Sequence, residues 1–294
     1  MAMLVMVVAY LASLLFVRGS LSSTLTLPYL VRATVSSWSH HDYGLGTDVG
    51  NNQSGAGHLY DHPSVLGRQA VGMTATSTAH ASPAASSDSV YLWEPTQSWN
   101  YSGQEWWLKT SFLFPSSASV PSLLPGEATY RPTEGTWNWF FELHNDSNLN
   151  ADSNERGNIS CGLRTDYTTG GSNPRLFCRE MGGPDGNIQT VYVFENGVGT
   201  LTSSGVPLKF DTWYNWLFHV KLDPAHGTFQ WYENGVLIYS NTDIPTLYSR
   251  PRGYVSPSYT SLTLCHYRVH AAWPSTVMLG PTAVGPTSDS VAPY

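Results

Sequence analysis

Charge is what this sequence has least of. Asp, Glu, Lys and Arg make up only 12% of its 294 residues, about half the usual quarter. The surface must therefore be built from Ser, Thr, Asn, Gly and Tyr, a habit of secreted all-β proteins. Lysine is nearly absent: Lys109, Lys209 and Lys221 are the only three. With a net charge of −7, the chain lacks the basic clusters that phosphate backbones require, which argues against a nucleic-acid partner. An anionic ligand would have to be held by a few placed arginines. No segment of any length carries a helical period, and no repeat of about 20–50 residues is visible, so bundles and solenoids are excluded. Cysteine is scarce as well. There are three, with no Cys/His spacing of the zinc type.

What the chain has is aromatic residues, 11 Trp and 17 Tyr among them, and alternating runs of them. The clearest run is 137–145, Trp-Asn-Trp-Phe-Phe-Glu-Leu-His-Asn. Strands place successive side chains on opposite faces. Trp137, Trp139, Phe141 and Leu143 then form a core face, and Asn138, Phe140, Glu142 and His144 form the other. A carboxylate and an imidazole in a row opposite a core face are what a binding groove on a sheet needs.

Further strands are expected at 90–94, 105–114, 158–165, 174–181, 189–195, 213–222 and 261–269, with an edge strand within 25–35. Asn234-Gly235 between 228–233 and 236–240 reads as a tight two-residue hairpin turn. Residues 276–284 are expected to close a sheet edge. About ten to twelve strands with long connections indicate an all-β, two-sheet antiparallel sandwich, occupying residues 23–285 as one domain with a tail at 286–294.

Cys161 and Cys178 fall in neighbouring strands. A hairpin brings them face to face, either as a disulfide in an oxidising compartment or as two thiols. Cys265 is left over in a third strand as a buried thiol. Residues 1–17 are almost wholly apolar and are followed by Arg18. That is short of the roughly 20 residues a membrane span needs. It fits the apolar region of a secretion signal within residues 1–22, although the basic leader is missing. The expectation is a secreted protein, free of the membrane after processing and monomeric.

The order of segments resembles secreted polysaccharide lyases of the heparin-lyase, glucuronan-lyase and alginate-lyase type. The resemblance rests on Gln104-Glu-Trp-Trp-Leu-Lys-Thr-Ser-Phe-Leu-Phe-Pro115 before a long loop, and on Phe141-Glu-Leu-His144. It continues through Trp213-Tyr-Asn-Trp-Leu-Phe-His-Val-Lys-Leu222 before an Asn-Gly turn, and Leu262-Thr-Leu-Cys-His-Tyr-Arg268. It covers residues 60–280 and implies a concanavalin A-like β-jelly roll with a sugar groove on its concave face. It also implies β-elimination on a uronic-acid polysaccharide, with no cofactor required. His144 and Tyr267 match the catalytic His and Tyr. Leu262 and Leu264 would face the core; Thr263, Cys265 and Tyr267 would face the groove.

Three departures stand out. Glu142 replaces a Gln two residues before the His, Thr263 replaces a Lys four residues before the Tyr, and 88–94 has no Arg where the pattern expects one. A carboxylate at 142 would repel a uronate unless protonated or paired with an arginine. Arg164, Arg68 and Arg268 are the candidates to replace the missing cation, and Asn138 and Glu142 the other substrate-binding candidates.

Two other classes stay open. One is a carbohydrate-binding sandwich that kept the groove and lost the chemistry. The other is a glycoside hydrolase of the same fold, which needs two carboxylates about 5–10 Å apart. Folds of this type often hold a structural calcium, for which Asp146, Asp152 and Glu155 offer oxygens. His40-His41 with Asp42 and Asp48 reads as a solvated loop, and His219 and Lys221 as an outer face. Of the Trp106–Trp107 pair, one ring belongs to the core and one to an exposed platform.

Overall fold

A computed structural model describes residues 30–38, 40–42, 57–76, 87–94, 105–118, 122–132, 137–145, 159–164, 175–182, 189–194, 197–198, 208–223, 225–246, 260–269, 271 and 273–292. The segment 1–22, with its signal-like run, lies outside them, as do Asp48, Asp146, Asp152 and Glu155. The described strands pair antiparallel throughout, in two sheets. The fold is the expected all-β jelly-roll sandwich.

In chain order the strands are β1 (Leu30–Arg32), β2 (His40–Asp42), β3 (Gly57–Val65), β4 (Arg68–Ala75), β5 (Ser87–Glu94), β6 (Glu105–Leu113), β7 (Trp137–Asn145), β8 (Ile159–Arg164), β9 (Arg175–Gly182), β10 (Gln189–Phe194) and β11 (Gly197–Val198). They continue with β12 (Tyr214–Lys221), β13 (Gly227–Glu233), β14 (Val236–Ile244), β15 (Thr260–Val269), β16 (Ser275–Leu279) and β17 (Thr282–Gly285). The first sheet runs β14-β13-β12-β6-β16-β4-β3, with β17 also on β6 and β1 on β17; the second runs β11-β10-β9-β8-β7-β15-β5-β2.

Alternation explains the core. In β12, Tyr214, Trp216, Phe218 and Val220 are buried and the residues between them are half-buried. They meet Phe141, Leu143, Ile159, Leu163, Leu262 and Leu264 of the second sheet. Phe141 and Phe218 stack between the sheets at 4.5 Å. Trp106 is wholly buried, as expected of one ring of its pair, while Trp107 on the outer face stacks on His219 at 4.2 Å. The Asn234-Gly235 turn has both φ angles positive, 49° and 83°, the geometry that a two-residue hairpin requires.

Three elements differ from expectation. Residues 276–284 do not close an edge: β16 and β17 both pair with β6 inside the sheet. Pro281, which has no N–H to donate, separates them. Residues 57–65, outside the expected strands, form a full strand, β3. Its Pro63 is tolerated because β3 is the last strand of its sheet. His40–Asp42 is a strand on β5 rather than a loop. The tail at 286–294 contributes one helical turn, α1 (Ser288–Val291), capped by Thr287 and anchored by buried Val291.

Candidate functional site

The site is the face of the second sheet turned away from the core, and one irregularity in β7 shapes it. Trp139 pairs with Gly162, but the next register pair is Phe141 with Cys161, so β7 carries one extra residue. Such a bulge inverts alternation on one side of itself. Phe140 and Phe141 both enter the core. Trp139, expected in the core, emerges on the opposite face among Phe177, Cys265, Tyr91 and Tyr267.

For the same reason Asn138, expected in the groove, is turned inward. It is fully buried and paired in register with the core residue Leu163 and with Arg268. Arg268 is also fully buried, and its Nη2 donates to the Trp273 carbonyl at 2.5 Å. It is an interior cation and does not meet a ligand on the outer face. Beside it, His266 donates from Nδ1 to the Met73 carbonyl of the first sheet at 3.1 Å. Burial, helped by Arg268, drives the His266 pKa down to about 3 and keeps the ring neutral. Arg68 belongs to the other sheet altogether. It begins β4, donates to Asn215 and lies over the Trp213 ring at 5.3 Å.

On the outer face, register sets out the side chains in rows. One row is Thr263, Glu142, Ser160 and Arg179, on β15, β7, β8 and β9. Ser160 donates to Glu142 Oε1 at 3.3 Å and accepts from Arg179 Nη2 at 3.2 Å. The guanidinium of Arg179 then reaches over the Trp139 ring, 4.7 Å from its centre. The next row is Tyr267, Trp139, Gly162 and Phe177, and beyond it Arg164 stands opposite Arg175. Tyr267 is half-buried, 5.9 Å from the Tyr91 ring.

Glu142 is nearly buried. Its carboxylate raises the pKa of Cys265, whose thiol burial has already pushed well up. That thiol donates to the Trp139 carbonyl at 3.4 Å, as an inert structural cysteine does. Cys161 and Cys178 pair directly across β8 and β9 and form a disulfide on the core face.

The expected parity of β15 holds: Leu262 and Leu264 lie in the core, and Cys265 and Tyr267 in the outer cluster. His144 lies on the neighbouring strand, paired in register with Ser261. Six positions of β15 separate Ser261 from Tyr267, about 20 Å along a strand at ~3.3 Å per residue. The fold therefore brings Tyr267 beside Trp139, and Arg179 onto that same ring, rather than bringing Tyr267 to His144.

The sequence reading missed Arg179, Ser160 and Trp139. Arg179 was within reach: once Cys178 turns inward to Cys161, Arg175, Phe177 and Arg179 must face outward. Trp139 was not, since the bulge has no signature in the sequence. Among the described residues no group of three or more His, Cys, Asp or Glu is gathered to hold a metal.

No known family profile matches the chain, and no curated protein matches it. Solved structures do. The chain is similar in fold to an endo-β-1,4-glucuronan lyase. That enzyme, from Trichoderma reesei, superimposes with a TM-score of 0.64 at 12% identity, over 90% of this chain and 98% of its own. An exolytic alginate lyase from Zobellia galactanivorans gives 0.44 at 9% identity, over 82% and 91%, a score too low to carry weight. At such identities the likeness establishes the jelly roll and nothing of the chemistry.

Proposed function

We propose that this is a secreted carbohydrate-active protein that binds a uronic-acid-containing polysaccharide across the outer face of the second sheet and cleaves it by β-elimination. The observation that carries this is the guanidinium of Arg179 lying over Trp139, whose register neighbour on the other side is Tyr267. Trp139, 5% exposed beneath the guanidinium, holds Arg179 in place rather than meeting the sugar, and a uronate needs a cation at its carboxylate. Arg179 supplies the cation that the sequence pattern lacked at 88–94. Through Ser160 it also offsets the negative charge of Glu142, the residue that would otherwise repel the substrate.

In the reaction, Arg179 neutralises the C5 carboxylate and so stabilises the carbanion-like charge that develops when the C5 proton leaves. The Tyr267 oxygen takes that proton, the C4–O bond breaks as the C4–C5 double bond forms, and the phenol returns a proton to the departing glycosidic oxygen. His144, two positions past Glu142 on the same strand and about 20 Å from Tyr267, enters as a substrate-binding position for a sugar remote from the scissile bond. The disulfide supports secretion, because such bonds persist in oxidising compartments.

A second reading, a carbohydrate-binding sandwich without chemistry, is favoured by the separation between positions 144 and 267. A hydrolase has less support: among the described side chains of this face, Glu142 is the one carboxylate, and hydrolysis needs two.

Incubation with glucuronan, alginate, heparin and ulvan, followed by ultraviolet absorbance of the unsaturated product, separates the three. Absorbance that grows with the wild type and is lost in Tyr267→Phe is the expected result. Binding without absorbance establishes the non-catalytic reading, and reducing ends without absorbance establish hydrolysis.

A further inference from the structure

Resting on that reading, we infer that the groove is divided by charge at Tyr267: the uronate that loses its C5 proton lies on the Arg179 side, and the sugar that departs with the glycosidic oxygen is a neutral one seated on Tyr91. The substrate is then an acidic glycan whose uronates carry a neutral sugar at O4, rather than an unbroken run of uronates.

Register puts Tyr267 between the two. Neighbouring strands lie about 5 Å apart. On one side of β15 is β7, where the guanidinium of Arg179 lies over Trp139, the register partner of Tyr267. On the other side is β5, where Tyr91 pairs in register with Cys265 and its ring stands 5.9 Å from that of Tyr267. Trp139, Phe177, Tyr91 and Tyr267 gather here around Cys265. Trp139 and Phe177 are 5% and 1% exposed, so neither offers a ring face to a sugar. Tyr91 and Tyr267 are half-buried and do. Tyr267 is engaged at the C5 proton, which leaves Tyr91 as the seat for the next sugar.

Charge is unevenly spread across this face. Among the described residues its arginines are Arg164, Arg175 and Arg179, all on β8 and β9. From β15 outward the face positions carry Thr263, Cys265 and Tyr267, then Tyr91, then Asp42 as the register partner of Tyr91. None of these is a cation. A carboxylate on that side would leave water for an aromatic surface with an acidic position beyond it, which is costly. A neutral sugar gives up only hydroxyl hydration, and its apolar ring face meets the tyrosine. Discrimination of this kind comes from the penalty on the wrong ligand as much as from contacts with the right one.

The full chain tests this with two tetrasaccharides, one of β-1,4-linked glucuronate throughout and one in which glucose and glucuronate alternate. The readout is kcat/KM from the absorbance of the unsaturated product. The alternating substrate is expected to be cleaved at least about tenfold faster. Tyr91→Arg puts a cation where the departing sugar sits, and is expected to shift the ratio toward the all-uronate substrate by about the same factor. Equal rates in the wild type, or a faster all-uronate one, overturn the neutral seat while leaving β-elimination standing. A Tyr91→Arg protein that is folded by circular dichroism and keeps the wild-type ratio overturns Tyr91 as that seat; if the variant does not fold, the wild-type comparison decides alone. Absorbance from neither substrate overturns the elimination reading itself. Calorimetry with the same pair then decides the seat by affinity: tighter binding of the alternating tetrasaccharide upholds it, and equal affinities overturn it.

Discussion

The Tyr239 hydroxyl donates to Glu180 Oε2 at 3.2 Å through the interior of the sandwich, from β14 of the first sheet to β9 of the second. Glu180 is 2% exposed. Burial raises its pKa from 4.5 to about 8, against a smaller lowering by the Tyr239 hydrogen bond. Burial, with the Glu180 charge beside it, likewise pushes the Tyr239 phenol up, so it remains the donor.

The sign of the pH dependence follows. Below pH 4.5 the carboxyl is protonated folded or unfolded and exacts no penalty. Between 4.5 and about 8 the unfolded chain gives up the proton while the fold retains it. Stability falls through this window by about 1.4 kcal/mol per pH unit, a few kcal/mol in all. Glu180→Gln keeps an acceptor for Tyr239 and removes the titration. Its melting temperature is expected to match wild type near pH 4 and to exceed it increasingly toward pH 8. Parallel curves for the two proteins across that range would show that Glu180 does not titrate in this way.

Gly162 faces a different constraint. A Cβ there would lie 1.8 Å from the Asn138 carbonyl oxygen and 2.9 Å from the Trp139 Cα, both backbone atoms of the bulged strand. Gly162→Ala is expected to cost about 1–3 kcal/mol and to weaken ligand binding by displacing Trp139. Gly235→Ala is the comparison: it has φ +83° and nothing within 4 Å, so it costs about 1 kcal/mol through backbone conformation alone and spares binding. Denaturant melts and ligand titrations on the two variants check the order. Binding loss of equal size in both would contradict it.

The Cys161–Cys178 bond closes a loop with a sequence separation of 17. Replacing both by Ala is expected to lower stability by about 3 kcal/mol, chiefly by freeing the unfolded chain. Both cysteines are fully buried, so reductant is expected to act only after unfolding. Thiol counting in native conditions with and without reductant measures this. A native protein that readily yields two new thiols argues against it.

Arg179 offers a test at the proposed reaction centre. Arg179→Lys retains the charge but gives up the planar fork and the stacking on Trp139. Turnover is expected to drop about 100-fold or more, with a smaller change in KM, because the carboxylate is held most tightly when charge develops. A rise in KM at unchanged kcat would assign Arg179 to ground-state binding alone.

The strands themselves were legible because their signal is local. Trp137–Asn145, Tyr214–Lys221 and the Asn234-Gly235 hairpin follow from alternation and turn chemistry that neighbouring residues impose on one another. The parity of β15 followed too, since no bulge interrupts its pairing with β5. Placing Asn138 failed because that inference carried one strand's alternation across an inserted residue, whereas Arg268 shares the parity of core residues Leu262 and Leu264, which already turns it inward.

Composition and alternation alone thus determined an all-β sandwich, poor in charge, with two cysteines placed to meet and a Tyr facing outward near the end of β15. Only the tertiary structure decided which arginine stands over Trp139 and how far position 144 lies from Tyr267. Those depend on register between strands distant in the sequence, on the extra residue at Phe140 against β8 and on the further shift between Leu264 and Tyr267 against β7. The free energy of such a bulge is set by what packs above and below it, and no run of neighbouring residues records that.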